Sequence, residues 1–490
     1  MQGRIPMSDF ASSLFFVFGI LLRFCSCDGP ILDDLPRGVE VNAADLLLVQ
    51  VVHRHGEREA LFNIPVAGET TAKDLKSFPK EAQLTADGVR QMYEYGRFMR
   101  QRYHKYFENG EKSSSQRIRV ISSATDRTIS SAQALIAGLL PPNGTARQWN
   151  SPLGAHWVPF PVYSRPSTHD GLLLNFKDDC PVFTEMRDSI GTMPIALQLQ
   201  EEMKDFTRDV SRATGLAHYD FFETSTAIED AIHYRRTHPQ LFTNVTAPTS
   251  SWPSWMNNTL ADGFKRIADM RMQLVVGGNG DRVRTRFRAG ALLYEIFERM
   301  NASRWNAGKN YLKMVQYSGH DENVAAILAA LNLYNYTLEG PNFGIPEFTA
   351  SIIMELHKNN TVRLLLKNDP AHIWDDPVVL MHPECQVPFC PLDKLYALLS
   401  DVIVDEETWK EECGLPGSKL GNRLSMRSGS SVGLAESIVI AGTLVAFALI
   451  FATIVALVVY LVRRRKRRSL DVNGYSATYE FSNTNGHRPA

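Results

Sequence analysis

The chain has 490 residues, enough for two or three domains, and its 44% apolar and 21% charged content suits a globular protein with a large core. The formal net charge of −1 conceals an asymmetry: residues 463–490 carry a net +5 and residues 1–27 a net +1, which leaves −7 on 28–462. A mildly acidic body argues against nucleic acid as the partner.

Residues 14–22, LFFVFGILL, form a short apolar run behind Arg4, and Cys25 and Cys27 hold the small-residue positions of a cleavage site. Residues 1–27 therefore read as a signal peptide, with Asp28 the mature start. Leu46–Val52 (LLLVQVV) is a buried-strand run that ends at HRHG. Leu84–Tyr103 reads as a helix with Thr85 as N-cap and Val89, Met92, Phe98 and Tyr103 on its apolar side. Ile118–Ser122 (IRVIS) is a second strand, and the SSATDRT after it turns helical. From about 171 to 270 no strand pattern interrupts. Ile195, Leu199, Met203, Phe206 and Val210 recur at helical spacing there, which predicts a mostly helical insertion capping the sheet edge. Tyr311–Tyr317 (YLKMVQY) is a third strand, leading through SGHD into NVAAILAALNL. Glu347–Leu356 and Val362–Lys367 flank KNN as an antiparallel hairpin.

Beyond 413 the pattern changes. Residues 414–436, rich in Gly and Ser, read as a stalk. Ser437–Val462 are uncharged and are followed at once by RRRKRR, the pattern of one transmembrane helix with 463–490 as a cytoplasmic tail. This is a type I topology with a luminal or extracellular body. Glycosylation sequons at Asn143, Asn244, Asn257, Asn301, Asn335 and Asn359 all fall between the two apolar segments. Four cysteines remain after the signal: Cys180, Cys385, Cys390 and Cys413. In an oxidising compartment they imply two disulfides with three possible pairings. A local Cys385–Cys390 bridge is the simplest, and it would leave Cys180–Cys413 to tie the chain's end to its middle.

The strand–turn–helix units carry the chemistry. In an open α/β sheet, ligands bind beyond the carboxyl ends of the strands. Arg54, His55 and Arg58 lie on the first such turn, Arg127 on the second, and His320 and Asp321 on the third. Arg54 and Arg58 offer forks of donors suited to phosphate oxygens. His55 between them is a poor metal ligand, because the neighbouring cations would repel a metal ion, but a plausible nucleophile toward phosphorus. Asp321 is the candidate acid for the leaving alkoxide, and His320 adds a phosphate donor.

These residues resemble the histidine acid phosphatases, closest to the membrane-anchored lysosomal and prostatic types. The family's RHGxRxP stands here as Arg54-His55-Gly56-Glu57-Arg58-Glu59-Ala60, its arginine motif as SSATDRT with Arg127, and its S(A/G)HD as Ser318-Gly319-His320-Asp321. LTADGVRQMYEYGRFMRQRY, LLPPNG, WVPFPVYS and DDCPVF are softer similarities, and the resemblance spans roughly 45–415. It implies an α/β fold: a phosphoglycerate-mutase-like core sheet with helices on both faces (28–170 and 271–413), an inserted helical cap (171–270) and a single C-terminal transmembrane helix. It implies phosphate monoester hydrolysis through a phosphohistidine, with His55 and Asp321 catalytic and Arg54, Arg58, Arg127 and His320 binding phosphate. It implies an acidic pH optimum, no cofactor, no metal, frequent dimers, and the pairing Cys180–Cys413 with Cys385–Cys390. Substrates would be small phosphate monoesters or phosphorylated peptides or lipids. The chain departs from the pattern at Glu59 and Ala60, where a small residue and Pro are usual. It also departs in the tail, where neither Tyr475 nor Tyr479 begins the lysosomal Tyr-x-x-bulky signal, so endosome, lysosome or plasma membrane are all open. A catalytically silent receptor or adhesion ectodomain is the alternative that Glu59 and Ala60 raise.

Overall fold

The computed structural model describes residues 41–42, 44–61, 82–108, 117–141, 159–167, 170–174, 180–216, 219–238, 255–306, 312–338, 340–415 and 460. The chain divides into two compact units, Met1–Ser418 and Lys419–Ala490. The sheet, its helices and the crevice all belong to the first. Among the described residues no helix is long and apolar enough to cross a membrane. The expected signal peptide, transmembrane span and tail lie outside the described residues apart from Tyr460, as does the stalk apart from Gly414 and Leu415.

An eight-stranded sheet organises the first unit. Its strands are β1 (Leu46–Arg54), β2 (Ile118–Ser122), β3 (Tyr163–Ser164), β4 (Met314–Gly319), β5 (Ser351–His357), β6 (Thr361–Lys367), β7 (Val378–Leu380) and β8 (Phe389–Pro391). In space the order is β8-β6-β5-β1-β4-β2-β3, with β7 paired to β6. β1, β4, β2 and β3 run parallel, and β5 joins β1 antiparallel. The sheet thus has a parallel half and an antiparallel half that meet at β1.

The helices are α1 (Ala86–Arg102), α2 (His104–Glu108), α3 (Asp126–Leu139), α4 (Pro181–Asp188), α5 (Pro194–Glu202), α6 (Lys204–Thr214), α7 (Phe221–Thr237), α8 (Asn258–Val276), α9 (Arg282–Trp305), α10 (Asp321–Ala330), α11 (Leu392–Leu399) and α12 (Glu406–Cys413). Side chains alternate across β1, so Leu48 and Val52 join one apolar cluster with Ile267, Leu292 and Val324, while Val49 and Val51 join another with Met92 and Leu135. Both faces of the sheet are therefore covered, which is why β1 reads as a continuous apolar run. A third cluster holds Val210, Ile228, Ile232 and Phe264 of α6, α7 and α8.

Two sequence expectations change. Val89 is 45% exposed; the buried side of α1 is Gly88, Met92, Tyr95, Gly96, Phe98 and Met99. A Cβ on Gly96 would stand 2.0 Å from the Leu135 carbonyl oxygen, so α1 and α3 meet backbone to backbone there. The stripe from Ile195 to Val210 is not one helix, because α5 ends at Glu202 and Met203 separates it from α6.

The structure holds two disulfides, Cys180–Cys413 with a sequence separation of 233 and Cys385–Cys390 with a separation of 5. Of the sequons, Asn143 and Asn244 lie outside the described residues, Asn257 and Asn359 are exposed, and Asn301 and Asn335 are half-buried.

Candidate active site

The parallel register brings the three turns together. Arg54 of β1 pairs with Gly319 of β4, and Ser122 of β2 pairs with Ser318. Beyond these pairs, the His55 N–H donates to the Gly319 carbonyl at 3.1 Å and the Ser123 N–H to the Ser318 carbonyl at 3.1 Å. The sheet thus continues one residue past its strands and carries His55, His320 and Asp321 into one crevice. Arg54, His55, Arg58, Arg127, His320 and Asp321 all line it, and its volume is 460 Å³.

Packing against α1 accounts for the glycine at position 56. A Cβ on Gly56 would lie 2.3 Å from the Gly88 carbonyl oxygen, and one on Gly88 would lie 2.1 Å from the Glu57 carbonyl oxygen. The first turn of α1 packs directly on the turn bearing His55, and both contacts are backbone.

His55 is 3% exposed. Its Nδ1 donates to the carbonyl of Gly56 at 2.8 Å, which fixes the tautomer and leaves a lone pair on Nε2. Burial pushes its pKa well below the usual imidazole range, and Arg54, Arg127, His320 and Arg58 push the same way. The imidazole stays neutral in mild acid.

Each arginine has its own support. The Arg54 guanidinium lies 4.1 Å from the Phe348 ring centroid, donates to the Pro346 carbonyl at 2.5 Å, and pairs with Asp321 at 3.1 Å. Arg58 pairs with Asp230 of α7 at 2.8 Å. Arg127 enters from the first turn of α3. His320 Nε2 lies 3.0 Å from Ser123 Oγ, which in turn lies 2.9 Å from Thr128 Oγ1. The segment after Ile345 buttresses the turn that follows β1: the Thr349 N–H donates to the His55 carbonyl at 3.1 Å. Thr349 does so at a φ of 64°, a left-handed conformation that a β-branched residue seldom adopts. That turn places the Phe348 ring between Arg54 and His55.

Burial opposes ionisation of Asp321, but Arg54, His320, Arg58 and Arg127 outweigh it and hold its pKa below the usual carboxylate value. In this state Asp321 is an anion, the counterion of Arg54. A proton-donating role therefore requires a ligand to change its surroundings, a point that the sequence did not reveal.

Sequence also missed Asp230, Phe348, Ser123 and Thr349. Asp230 sits mid-helix in α7 with no motif around it. Glu59 is half-buried and does not line the crevice, and Ala60 packs into the α6–α8 cluster beside Val210 and Ile228. Neither side chain lines the crevice, though the Glu59 carbonyl accepts from the Arg58 guanidinium at 2.9 Å. Among the described residues, Glu57, Asp87 and His238 are the group with ligand atoms close enough for a metal, within 4.8 Å of one another. Asp87 there is already paired with Arg90 at 2.6 Å.

The chain is similar to known proteins. Prostatic acid phosphatase of Homo sapiens is 29% identical over 385 residues, covering 78% of this chain and 91% of that protein. Lysosomal acid phosphatase of Xenopus laevis is 28% identical over 375 residues, covering 75% of this chain and 79% of that protein. Among solved structures, the apo form of Hafnia alvei phytase superposes with a TM-score of 0.51 at 14% identity, covering 74% of this chain and 97% of that one, a likeness of fold alone. The family model described as histidine phosphatase superfamily (branch 2) matches residues 45–367, a span that runs from the strand bearing His55 past the turn bearing Asp321: the chain belongs to that superfamily.

Proposed function

We propose that this protein is an acid phosphatase that hydrolyses phosphate monoesters through a phosphohistidine on His55. The observation that carries the reading is the 2.8 Å bond from His55 Nδ1 to the Gly56 carbonyl, which leaves Nε2 as a lone pair within the arginine-lined crevice. Arg54, Arg58 and Arg127 hold the phosphate oxygens, with His320 as a further donor. Nε2 attacks phosphorus in line. The P–N bond forms as the ester P–O bond breaks, and the leaving alkoxide takes a proton from Asp321. Water then attacks phosphorus, giving up a proton to the Asp321 carboxylate, and phosphate leaves.

The proton on Asp321 comes from competition for Arg54. A phosphate monoanion displaces the carboxylate from the guanidinium and places negative charge beside it. Both changes raise its proton affinity. Substrate binding itself thus arms the acid, and mild acid favours the armed state. No metal is invoked: the arginines supply the positive charge.

The helices α4 to α8 act as a cap, contributing Arg187, Asp230 and Lys265 to the crevice wall. The body resides in the lumen or outside the cell, held by the 437–462 span, with homodimers an open form. Protease added to intact vesicles should remove only the 463–490 tail; a protected tail would invert this topology.

The direct test is a phosphate ester at pH 5, quenched in alkali because phosphohistidine is acid-labile. Mass spectrometry should place the label on His55. A label on any other residue overturns the mechanism.

A further inference from the structure

The crevice holds more than a phosphate. Its 460 Å³ is the size of a small-molecule site. Beyond the arginines its wall is built by α4, α7, α8 and the segment Ile345–Phe348. Most charges on that wall are already neutralised. The Lys265 ammonium donates to both Asp269 oxygens, at 2.9 Å and 3.2 Å. Arg271 pairs with Glu223 at 2.6 Å, and Arg187 with Asp188 at 3.1 Å. Asp230 is held by Arg58. Two carboxyl groups stand apart. Among the described residues no ion pair joins Glu229 or Glu347. Glu229 adjoins Asp230 and lies one turn before His233 on α7, and Glu347 precedes the Phe348 that stacks on Arg54.

We propose that Glu229 and Glu347 set the leaving-group preference of this crevice, favouring esters whose leaving group is neutral or cationic and disfavouring those that carry a second phosphate. This rests on the phosphatase reading above. A second phosphate carries about −1.5 to −2 charges near neutral pH. Seated in a half-buried crevice beside two carboxylates that no ion pair neutralises, it is repelled where a neutral group is not.

The discrimination should depend on pH. Burial pushes Glu229 up to about 7, with Asp230 reinforcing, Lys265 opposing, and Asp269 and Glu347 reinforcing. Burial also raises Glu347, against Arg54 and Lys265 and with Asp269 and Asp369. His233, on the same side of α7, is pushed down to about 4 by burial and by Arg54, and so stays neutral across the range. The wall therefore gains negative charge as pH rises through 7 and loses it in acid.

A matched series tests this: 3-aminopropyl phosphate, 3-hydroxypropyl phosphate and propane-1,3-diol bisphosphate, given to the full-length protein at pH 5 and pH 7.5. At pH 7.5 kcat/KM for the hydroxyl ester should exceed that for the bisphosphate by about tenfold, with the amine at least equal to the hydroxyl ester. At pH 5 the gap should shrink. Glu229→Gln, and separately Glu347→Gln, should shrink it at pH 7.5. The readout is the ratio between esters within one preparation, so partial misfolding does not mimic it. Equal kcat/KM for all three esters at pH 7.5, or a ratio that neither variant moves, overturns the proposal. Failure to turn over any of the three overturns the phosphatase reading, and the proposal with it.

Discussion

Two buried clusters of arginine and carboxylate lie on this sheet, and they differ in one respect. In the antiparallel half, Glu355 of β5 is fully buried and accepts from Arg102 at 3.1 Å, Tyr103 at 2.7 Å and Arg363 at 2.6 Å. Its partners are themselves buried or nearly so, and none of them lines the crevice. In the parallel half, Arg54 and Arg58 pair with Asp321 and Asp230, and all four line the crevice. The ingredients are the same. A closed cluster has no room for a ligand and can contribute only to folding. An open one holds its arginines where, in the proposed mechanism, an incoming anion displaces a carboxylate. Buried charge alone does not mark a site; buried charge at the wall of a crevice does.

The comparison breaks first at His55. His55→Ala should lower kcat by about a thousandfold or more, the scale on which nucleophiles are missed, and leave the melting temperature little changed. Steady-state kinetics and a thermal melt on one preparation check both. Retained turnover would remove the chemical distinction between the halves. Glu355→Gln should do the reverse. It leaves two buried guanidiniums without their anion, costing about 3–5 kcal/mol of stability by denaturant titration, while kcat/KM per folded molecule stays near wild type. A matching loss of catalytic efficiency would mean that the closed cluster reaches the site after all.

The next effect concerns pH. His53 on β1 is fully buried, with Gln316 Nε2 donating to its Nε2 at 2.8 Å, and burial pushes its pKa down to about 4 against a bond to the Arg54 carbonyl. The unfolded chain takes up a proton near 6.5 and the folded one does not. Stability that His53 leaves intact above 6.5 is therefore lost as pH falls from about 6.5 to about 4, and His55 and His233 add in the same direction. Glu229 works oppositely, favouring the folded state as pH falls below 7. Melting temperature should fall across that window, and His53→Gln should remove roughly 3 kcal/mol of the loss. An unchanged slope would refute the neutral, buried assignment. The smallest effect sharpens the contrast within the open cluster. Asp230→Asn should loosen Arg58 and raise KM about tenfold, with kcat moving less. A fall in kcat at constant KM would assign Asp230 to the transition state instead.

The crevice was legible because His55, Asp321 and the arginines sit within a few residues of strand ends, where apolar runs meet polar turns. The parallel sheet converts that proximity in sequence into one crevice. What stayed hidden lacks that signal. Asp230 and Glu229 lie mid-helix, and nothing local separates them from a solvated face. The α1 stripe misleads because Gly88 and Gly96 count as blanks in an apolar pattern, yet they are where its backbone meets the His55 turn and α3. The charge state of Asp321 depends on cations from three separate turns, which no single motif displays.

The bridge between Cys180 and Cys413 divides the site by connectivity. It ties residues 180 to 413 into one covalent ring, and that ring contains His320 and Asp321 but neither His55 nor Arg127. A cut within 239–254 would open the ring and leave the two pieces joined, so a nicked molecule would run as one band until reduced. A cut within 142–158 falls before the ring, and there only the sheet's hydrogen bonds and the packing around it would keep His55 with Asp321. A single cut would thus have unequal consequences along the chain, and His55 lies on the side without a covalent tie.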